Sequence, residues 1–354
     1  MSACDSCLLA SFERARVTSG LEAAGVSPSA AAAYLALEPA DALEAMAEQG
    51  LPPGVAGEQG EANGVWTLCR HDPAFPSGLH DFARESDVPR AIYGVGEVAH
   101  LGTAGAAAAI VGARRASAYG REVAYSLAHD LAREGVTVIS GMALGIDGAA
   151  HRGALQAGRP TIAVLAGGPD LPYPRSHRLL HEQIAEAGCI ISESPPGVEA
   201  RRWNFVARNR IIAALAQMTV WVEGSENSGA RHTIDFCEQL GRIAGVVPGP
   251  INSPMSAGPN KLLGCEGVIA VRGANDVLET MNVGQWGGPA PLFVDEVDSA
   301  AGLLLAAIAA GERTPRALTS SVPELSAREI TRLLGELELA GRLRRATSGE
   351  YELC

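Results

Sequence analysis

Short, continuously apolar segments alternate with helical segments through the middle of the chain, and this alternation most limits the folds open to it. The apolar runs predict buried β-strands over residues 106–112, 137–140, 161–167, 188–192, 218–224, 242–249 and 267–271. Strands that are apolar on both faces and joined by helices form a parallel sheet covered by helices on both sides. The sequence therefore predicts an α/β, doubly wound fold, whose ligands bind beyond the carboxyl ends of the strands.

The two ends of the chain have a different character from the middle. The first segment is rich in alanine at helical spacing and ends in a Gly/Pro-rich stretch, which indicates a small helical domain. The last segment predicts three helices and a hairpin, with Ser326 and Glu329 forming a capping box, and this pattern is typical of a winged helix-turn-helix. We expect four regions: a helical domain over 1–60, the sheet domain over 61–280, a linker over 281–297 and a winged-helix domain over 298–354.

The net charge of -12 is concentrated at the beginning of the chain. Residues 1–100 contain 14 acidic residues and five arginines, so they contribute -9 of that charge. By contrast, residues 111–121 contain three arginines and residues 201–210 contain four, and neither segment contains an acid. Screening limits the reach of distant charges to about 10 Å. A local basic surface can therefore bind an anion on this acidic protein.

Composition also bounds location and redox chemistry. No run of about 18 uncharged apolar residues is present and the first residues lack the pattern of a signal peptide, so we expect a cytoplasmic protein without membrane contact. The seven cysteines are scattered, and the one C-x-x-C pair, Cys4 and Cys7, has neither a second pair nor a histidine partner in the sequence. Reduced thiols are the favoured interpretation over a zinc site, and we expect no metal and no cofactor.

The loop after the first predicted parallel strand reads VGARRAS and precedes a helix. Gly112 allows close backbone approach, Arg114 and Arg115 supply forked donors, and Ser117 lies at the helix start, where N–H groups are unpaired. These are the parts of a phosphate site. The alternative is an ordinary strand-to-helix turn with solvated arginines.

The loop after the second predicted strand reads SGMALGID. Ser140, Gly141 and Gly145 only loosely match a G-x-G-x-x-G turn, which is weak evidence for nucleotide binding. Asp147 and His151 are four residues apart on one helical face, so an acid/base pair is conceivable. A helix-capping aspartate and a packing histidine are the favoured interpretation.

The third and fourth loops are longer, and both carry basic residues. Arg175, His177 and Arg178 follow the third strand, which favours either anion binding or a solvated helix start. In RRWNFVARNR, Arg208 and Arg210 fall in the first turns of a helix, where cations oppose the helix dipole by roughly 0.3–1 kcal/mol each. A bound anion would remove that cost. The aromatic residues of this decamer could stack on bases or lie buried beneath the loop.

Two chemistries are excluded or unsupported. The sequence has no G-x-x-x-x-G-K-[ST], since its one lysine, Lys261, is followed by Leu262, so an ATP motor of the P-loop kind is excluded. We find no metal-ligand spacing and no convincing nucleophile constellation.

Taken in order, these segments resemble the DNA-processing protein A (DprA/Smf) family. The resemblance rests on VGARRASAYG, SGMALGIDGAAHRGAL, TIAVLAGGPDLPYP, ISESPPG, ARNRIIAALA and VPGPINSPMSAGPNKLL, and it covers about residues 106–271. It implies an extended Rossmann-like domain that binds single-stranded DNA and forms a homodimer. It further implies a non-catalytic recombination mediator that loads RecA, displaces or cooperates with single-strand-binding protein, and acts in natural transformation.

The resemblance also assigns DNA contacts position by position. It implies that Arg114 binds a phosphate while Gly112 and Ser117 shape the loop. It also implies that the loops after the second and third predicted strands contribute hydrogen-bond donors. The remaining residues implied as DNA-binding are Arg115, Ser140, Gly141, Gly145, Arg175, Arg178, Arg208, Asn209 and Arg210. The chain departs from the family pattern at residues 230–234 and 264–265, which puts local packing and the dimer surface in question.

Two alternatives belong to other functional classes. A LOG-type nucleotide phosphoribohydrolase or nucleotide sensor would carry a Pro-Gly-Gly-x-Gly-Thr-x-x-Glu loop, whereas the comparable region here reads EGSENSGARHTIDF. A transcription regulator would contact duplex DNA through the winged helix and the arginines of RLRRATSG. The predicted recognition helix carries three acids and two arginines, which favours a partner-binding role for it.

Overall fold

All seven predicted parallel strands form, and all except the last in the chain are largely buried, as expected for short apolar runs in a covered sheet. A computed structural model describes residues 4–35, 37–53, 64–101, 106–283, 304, 307–308, 313–322, 325–339, 343–345 and 351–353. The chain divides into two compact units, Met1–Gly284 and Gln285–Cys354. Each unit is described by itself.

The first unit contains a nine-stranded sheet. In chain order its strands are β1 (Trp66–Cys69), β2 (Ala91–Gly96), β3 (Ala107–Val111), β4 (Thr137–Ser140), β5 (Thr161–Leu165), β6 (Cys189–Ser192), β7 (Met218–Trp221), β8 (Ile243–Val246) and β9 (Val268–Ala270). Their spatial order is β1-β2-β6-β5-β4-β3-β7-β8-β9. The strands from β6 to β9 are parallel, while β2 is antiparallel to β6 and β1 is antiparallel to β2. The predicted doubly wound sheet is therefore confirmed, with two antiparallel strands added at one edge.

Helices cover both faces of this sheet. They are α4 (Ala118–Arg133), α5 (Ile146–Gln156), α6 (Arg178–Ala187), α7 (Arg202–Leu215), α8 (Ala230–Gln239), α9 (Ala257–Leu262) and α10 (Ala274–Thr280). Helices α4, α5 and α6 pack side by side, and α7 pairs with α8. Ile211 and Ile212 of α7 and Ile234 of α8 join one core with the sheet, whereas Leu180 and Ile184 of α6 join another. Two cores on the two faces are the physical mark of a doubly wound fold.

The order in which the parallel strands are added to the sheet reverses at its centre. Strand β3 lies between β4 and β7, so successive connections run outward from β3 in opposite directions. Such a switch point opens a crevice at the carboxyl ends of the two central strands. The loops after β3 and β7 line this crevice.

Three helices precede the sheet in the same unit: α1 (Asp5–Ala23), α2 (Pro28–Leu35) and α3 (Pro39–Glu48). They share a small core with Val17, Leu21 and Met46, against which Trp203 of α7 packs. Phe12 meets Tyr93 of β2 edge-on, with ring centroids 6.3 Å apart. The expected helices therefore form, and they pack on the sheet through these contacts. Trp203 is one of these packing residues, as the burial interpretation of the decamer's aromatic residues expected.

The predicted thiol chemistry of the first helix needs a correction. Cys4 and Cys7 lie next to Cys69 and His71, which follow them by more than sixty residues, and the ligand atoms of all four side chains are within 4.8 Å of one another. The expectation that this C-x-x-C pair has no histidine partner is wrong, because His71 Nδ1 lies within 3.6 Å of both thiols. The partners come from β1 and the turn after it, which sequence spacing cannot connect to α1.

The second unit contains α11 (Pro315–Ser321), α12 (Ala327–Leu339) and a two-stranded sheet of β10 (Leu343–Arg345) and β11 (Tyr351–Leu353). The predicted capping box at α12 is confirmed, because Ser326 Oγ accepts from Glu329 N at 3.3 Å and Glu329 Oε2 accepts from Ser326 N at 2.9 Å. Most of the linker predicted over 281–297 lies outside the described residues. The domain boundaries and the winged helix remain predictions.

No helix among the described residues is long and apolar enough to cross a membrane.

Candidate nucleic-acid interface

Glu223 fixes the loop after β3 from the opposite side of the switch point. Its carboxylate is buried and accepts from Ser117 N at 2.9 Å and from Ser117 Oγ at 2.6 Å, while its backbone oxygen accepts from Ala113 N at 2.7 Å. Ser117 Oγ in turn caps α4 by accepting from Gly120 N at 3.0 Å. The loop over residues 112–117 is thereby held at both of its ends by β7, and its shape is set before any ligand binds.

Arginines project from this rigid loop into solvent. Arg114 and Arg115 are exposed, and the Arg114 guanidinium lies over the Phe205 ring, 4.7 Å from its centroid. Tyr173 lies beside Phe205 with ring centroids 5.2 Å apart, and its own side chain is 43% exposed. We call Arg114, Tyr173 and Phe205 the arginine–aromatic cluster. It places a cation and two partly exposed π-faces at the carboxyl edge of the sheet.

Two glycines allow the loops of this edge to approach one another. Gly145 has φ of 81°, and a Cβ there would meet Ala113 O at 2.2 Å. A Cβ on Gly112 would meet Ile146 Cγ1 at 2.6 Å and Glu223 O at 2.8 Å. The predicted loop-shaping role of these glycines has a physical basis here, since any side chain would push the two loops apart.

The prediction that Arg208 presents its guanidinium to a ligand needs a correction. Arg208 is 6% exposed, and its Nη1 donates to Gly141 O at 2.7 Å and to Val164 O. A Cβ on Gly141 would lie 2.3 Å from this Nη1, so Gly141 is small in order to admit Arg208. Burial lowers the pKa of Arg208 to about 10, with the nearby Asp147 carboxylate acting in the opposite direction. This arginine ties the ends of β4 and β5 to α7.

Arg210 is likewise buried, and acceptors within the protein occupy its donors. It is 9% exposed and pairs with Glu193 at 2.7 Å, and its other donors reach Asp87 O and Ala207 O at 2.9 Å each. Asn209 between the two arginines donates to Gly229 O at 3.2 Å. The Arg-Asn-Arg motif therefore holds α7 against its neighbours, because every one of its side chains has a protein partner.

The second loop is also built from committed polar groups. Ser140 is fully buried and donates to Ile110 O at 2.6 Å, so the expectation that its hydroxyl serves as a ligand donor needs the same correction. Met142 adopts φ of 55°, and its oxygen accepts from His177 Nδ1 at 3.0 Å. These bonds fix the backbone of the loop from beneath.

Asp147 and His151 do not form an acid/base pair. Burial raises the pKa of the Asp147 carboxyl, against the lowering effect of Arg208, and Ala143 N donates to this carboxyl at 3.4 Å. His151 Nδ1 lies 2.8 Å from Thr161 Oγ1, whose hydroxyl donates to Val138 O at 2.7 Å, so the imidazole is the donor. Burial lowers the pKa of His151 to about 3, so it is neutral at pH 7. The packing interpretation of this histidine is confirmed.

The third basic loop divides into an unpaired and a paired arginine. Arg175 is exposed, and among the described residues it has no hydrogen-bond or ion-pair partner, whereas Arg178 forms an exposed i,i+4 pair with Glu182 at 2.9 Å. Exposed pairs of this kind contribute little and are easily exchanged. His177 is buried beneath them, and burial lowers its pKa.

Two residues of the edge were missed by sequence reasoning. Glu223 was not singled out, although it lies two residues after β7; only the strand order places it beside Ser117. Arg152 is exposed on α5, and it lies close enough to His177 to lower that residue's pKa through charge repulsion. The helical period of α5 could have shown that Arg152 lies one turn after Gly148, on the side of the loop.

A family model for DNA recombination-mediator protein A matches residues 66–282. The chain belongs to the DNA recombination-mediator protein A family. The segment matched by the family model contains the whole sheet and every candidate DNA-binding residue, and it excludes α1 to α3 and the second unit. Family membership therefore rests on the part of the chain that carries the interface.

Curated relatives of this family member are named DNA processing protein DprA or protein Smf. A putative DNA processing protein DprA from Mycobacterium tuberculosis is 47% identical over 186 residues, which is 52% of this chain and 48% of the relative, so the matched segment spans only about half of that protein. Protein Smf from Escherichia coli is 35% identical over 276 residues, 76% of this chain and 73% of the relative.

Two solved structures of DNA processing protein A are also similar to this chain. DNA processing protein A from Streptococcus pneumoniae superposes with a TM-score of 0.60 at 26% identity, covering 77% of this chain and 95% of that chain. DNA processing protein A from Helicobacter pylori, whose structure concerns a mode of single-stranded DNA binding, superposes with a TM-score of 0.54 at 27% identity, covering 62% and 95%.

Proposed function

We propose that this protein is a recombination mediator that binds single-stranded DNA along the carboxyl edge of its parallel sheet. The observation that carries this proposal is the arginine–aromatic cluster beside the rigid loop over residues 112–117, at the switch point of the sheet. Family membership and the DNA-processing names of its relatives support it. Neither the LOG-type alternative nor the transcription-regulator alternative is favoured by a similar observation.

The charges of the edge suit a phosphate backbone. Arg114, Arg115 and Arg175 are exposed, and among the described residues none of them donates a hydrogen bond or forms an ion pair. Because their positive charge is not neutralised within the protein, DNA phosphates can occupy their donors and release counterions. Guanidinium groups form two parallel hydrogen bonds to a phosphate, so two or three of them suffice to fix the path of a strand.

The aromatic residues suit unpaired bases. Tyr173 is 43% exposed and lies against Phe205, which in turn lies under Arg114. Stacking of a base on an aromatic ring contributes about 1–3 kcal/mol and needs a base face that is not covered by a neighbour in a duplex. This arrangement favours single strands over duplex DNA and shows little preference for base identity.

We further propose that the protein acts without catalysing a reaction. The two titratable groups that could form an acid/base pair, Asp147 and His151, are buried and engaged with different partners. The Ser140 hydroxyl donates to a backbone oxygen and so is not poised as a nucleophile. The polar groups of this edge stabilise loops, which is the requirement of a binding surface.

The finer functional assignments follow from the family resemblance alone. We propose that the protein forms a homodimer through its Rossmann-like domain, cooperates with single-strand-binding protein and loads RecA, as in natural transformation. We place it in the cytoplasm, where RecA acts, and we assign the second unit as a winged helix that contacts a partner.

The binding proposal is tested by fluorescence anisotropy of a labelled oligo-dT at several salt concentrations, with a duplex of equal length and no added nucleotide. We expect tight binding that favours the single strand, with a slope of log affinity against log salt of about -0.7 per neutralised phosphate. Stronger binding to the duplex would support the transcription regulator instead. Salt-insensitive binding, or none at low salt, would overturn the proposed interface.

RecA loading is tested separately. RecA filament formation on oligo-dT coated with single-strand-binding protein should accelerate when the protein is added. The Arg114→Ala variant serves as the matched control, because it weakens the proposed DNA contact and leaves the remaining surface intact. DNA binding without acceleration would retain the interface and remove the loading assignment.

A further inference from the structure

Three thiols and one imidazole meet at the beginning of α1, far from the proposed DNA interface. Cys4 Sγ and Cys7 Sγ lie 3.6 and 3.5 Å from His71 Nδ1, and Cys69 Sγ lies 3.9 Å from Cys4 Sγ. All four ligand atoms are within 4.8 Å of one another. Sulfur atoms in a disulfide are about 2.05 Å apart, so these cysteines are close but unbonded thiols.

Two short turns supply these side chains in pairs. Cys4 caps α1 with extended backbone, and Cys7 N donates back to Cys4 O at 3.0 Å in the first turn of the helix. Cys69 ends β1, and the chain turns directly after it, because Asp72 N donates to Cys69 O at 2.9 Å. This turn aims His71 at the same point as Cys69. The pairs have C-x-x-C and C-x-H spacing, so each turn offers two ligands.

Arg70 anchors the second turn. It lies between the two ligands in sequence, yet its guanidinium points away to Glu85 Oε1 at 2.9 Å and to Val88 O. Its side chain is 6% exposed, so the backbone on either side of it is held in one conformation. Arg70 therefore fixes the backbone between the two ligands before any ion binds.

Three of the separations within the cluster fit one bound ion. A tetrahedral zinc ion holds sulfur at about 2.3 Å and nitrogen at about 2.0 Å, which separates two sulfurs by about 3.8 Å and a sulfur from a nitrogen by about 3.5 Å. The three separations of 3.9, 3.6 and 3.5 Å agree with these values. We propose that Cys4, Cys7, Cys69 and His71 bind a zinc ion as a Cys₃His site.

The chemistry indicates a structural site. Four protein ligands fill the tetrahedron and leave no position for water or substrate, as in closed structural zinc sites. The site lies at edge strand β1, and four strands, β2, β6, β5 and β4, separate it from β3 at the switch point. It therefore takes no part in the proposed DNA contacts.

The ion would connect two parts of the first unit. Cys4 and Cys7 belong to the helical region, whereas Cys69 and His71 belong to the segment that the family model matches from residue 66. Zinc binding would thus pin the start of α1 to the edge of the sheet. Without the ion, Cys7, Leu8 and Cys69 still pack together at this end of α1.

The test uses the full chain, carrying a histidine-free affinity tag at its C-terminus so that the tag does not bind metal. The chain is purified under reducing conditions without chelator, and its zinc content is measured by inductively coupled plasma mass spectrometry. We expect one zinc per chain in the wild type and a near-complete loss in Cys4→Ser and in His71→Ala. Both changed residues are exposed, so neither substitution disturbs a core.

The exposed thiol Cys265 supplies the matched control, since it lies outside the cluster. Cys265→Ser should keep the wild-type zinc content. Zinc retained in both cluster variants would overturn the proposal, because the ion would then be bound elsewhere. A disulfide formed within the cluster, in a chain kept reduced throughout purification, would overturn it as well.

A second measurement does not depend on the metal acquired during expression. The reduced, metal-free chain is titrated with Co²⁺, and visible absorption of tetrahedral cobalt together with thiolate-to-cobalt charge transfer is expected at one equivalent. Added zinc should displace the cobalt and raise the melting temperature of the wild type but not of Cys4→Ser. Absence of the tetrahedral spectrum in the wild type would exclude the site.

Discussion

The loop over residues 112–117 and the decamer over residues 201–210 are both rich in arginine and free of acidic residues, yet the structure uses their charges in opposite ways. Arg114 and Arg115 are exposed on a loop held by Glu223. Arg208 and Arg210 are buried in α7, where backbone oxygens and Glu193 occupy their donors. The arginines of the first segment can hold a ligand, and the buried arginines of the second hold the edge on which that ligand would lie.

This contrast between exposed and buried arginines shows that an arginine motif does not by itself identify a binding surface. Arg208 satisfies the ends of β4 and β5, which converge beneath the loop that carries Gly141. Loss of such a contact would change DNA binding only by altering the scaffold. Stability and affinity must therefore be measured together for each arginine.

The largest effect is expected for Arg208→Met, which keeps most of the side-chain volume and removes every donor. Gly141 O and Val164 O would lose their partner, and the buried Asp147 would lose its nearest counter-charge. We expect the free energy of unfolding to fall by about 3–5 kcal/mol, as for other broken buried charge pairs. Urea denaturation measures this loss.

Arg202→Met is the matched control for that change, because Arg202 is exposed at the start of the same helix. It should alter stability by less than about 0.5 kcal/mol. Equal effects of the two substitutions would remove the distinction between buried and exposed arginines.

A pH dependence of intermediate size should come from His151, in the buried layer beneath the second loop. Its pKa is lowered from 6.5 to about 3 by burial, with repulsion from His177, Arg208 and Arg152 in the same direction. The unfolded chain therefore binds a proton that the folded chain excludes, so stability is fully present above pH 6.5 and falls as the pH drops toward 3. We expect His151 to contribute a loss of about 2 kcal/mol between pH 6.5 and 5.

Comparison with His151→Asn isolates this contribution, because the amide can still donate to Thr161 and does not titrate. The variant should lose less stability than the wild type over the same pH interval in parallel denaturation series. Identical pH profiles would show that His151 is accessible to protons in the folded protein.

The smallest effect on folding, but a direct effect on binding, is expected for Arg114→Ala. The side chain is exposed, so stability should change by less than about 0.5 kcal/mol. Affinity for all single-stranded sequences should fall by roughly 1 kcal/mol, about fivefold, for one lost phosphate contact. The magnitude of the salt slope should decrease by about 0.7.

Arg178→Ala is the control for this binding change, since Arg178 is exposed and already paired with Glu182. It should weaken binding less than Arg114→Ala does. A larger effect of Arg178→Ala would move the DNA path from the loop after β3 to the start of α6.

Features that depend on residues close together in the sequence could be predicted, whereas features that depend on distant residues could not. The seven parallel strands were recognisable because each is a continuous apolar run, and the capping box of α12 because its partners are three residues apart. The strands β1 and β2 were not identified, since Trp66–Cys69 and Ala91–Gly96 are short and pair at the edge of the sheet. The positions of the candidate loops at the carboxyl edge followed from the parallel arrangement.

The role of individual side chains was less predictable. The arginines of α7 looked like ligand donors because their partners, Gly141, Val164 and Glu193, are distant in sequence. The same reason hid Glu223 from its partner Ser117, and Cys69 and His71 from Cys4 and Cys7. In each case the deciding contact joins residues brought together by the sheet order.

Periodicity, local turns and motif order are local properties, so the fold class, the loops at the candidate edge and the family resemblance could be inferred from the sequence. The folded chain was needed to show which arginines remain free for a ligand, which ones donate to backbone oxygens, and which thiols lie together. Burial and hydrogen-bond satisfaction depend on strand order and packing, and the local spacing of residues encodes neither.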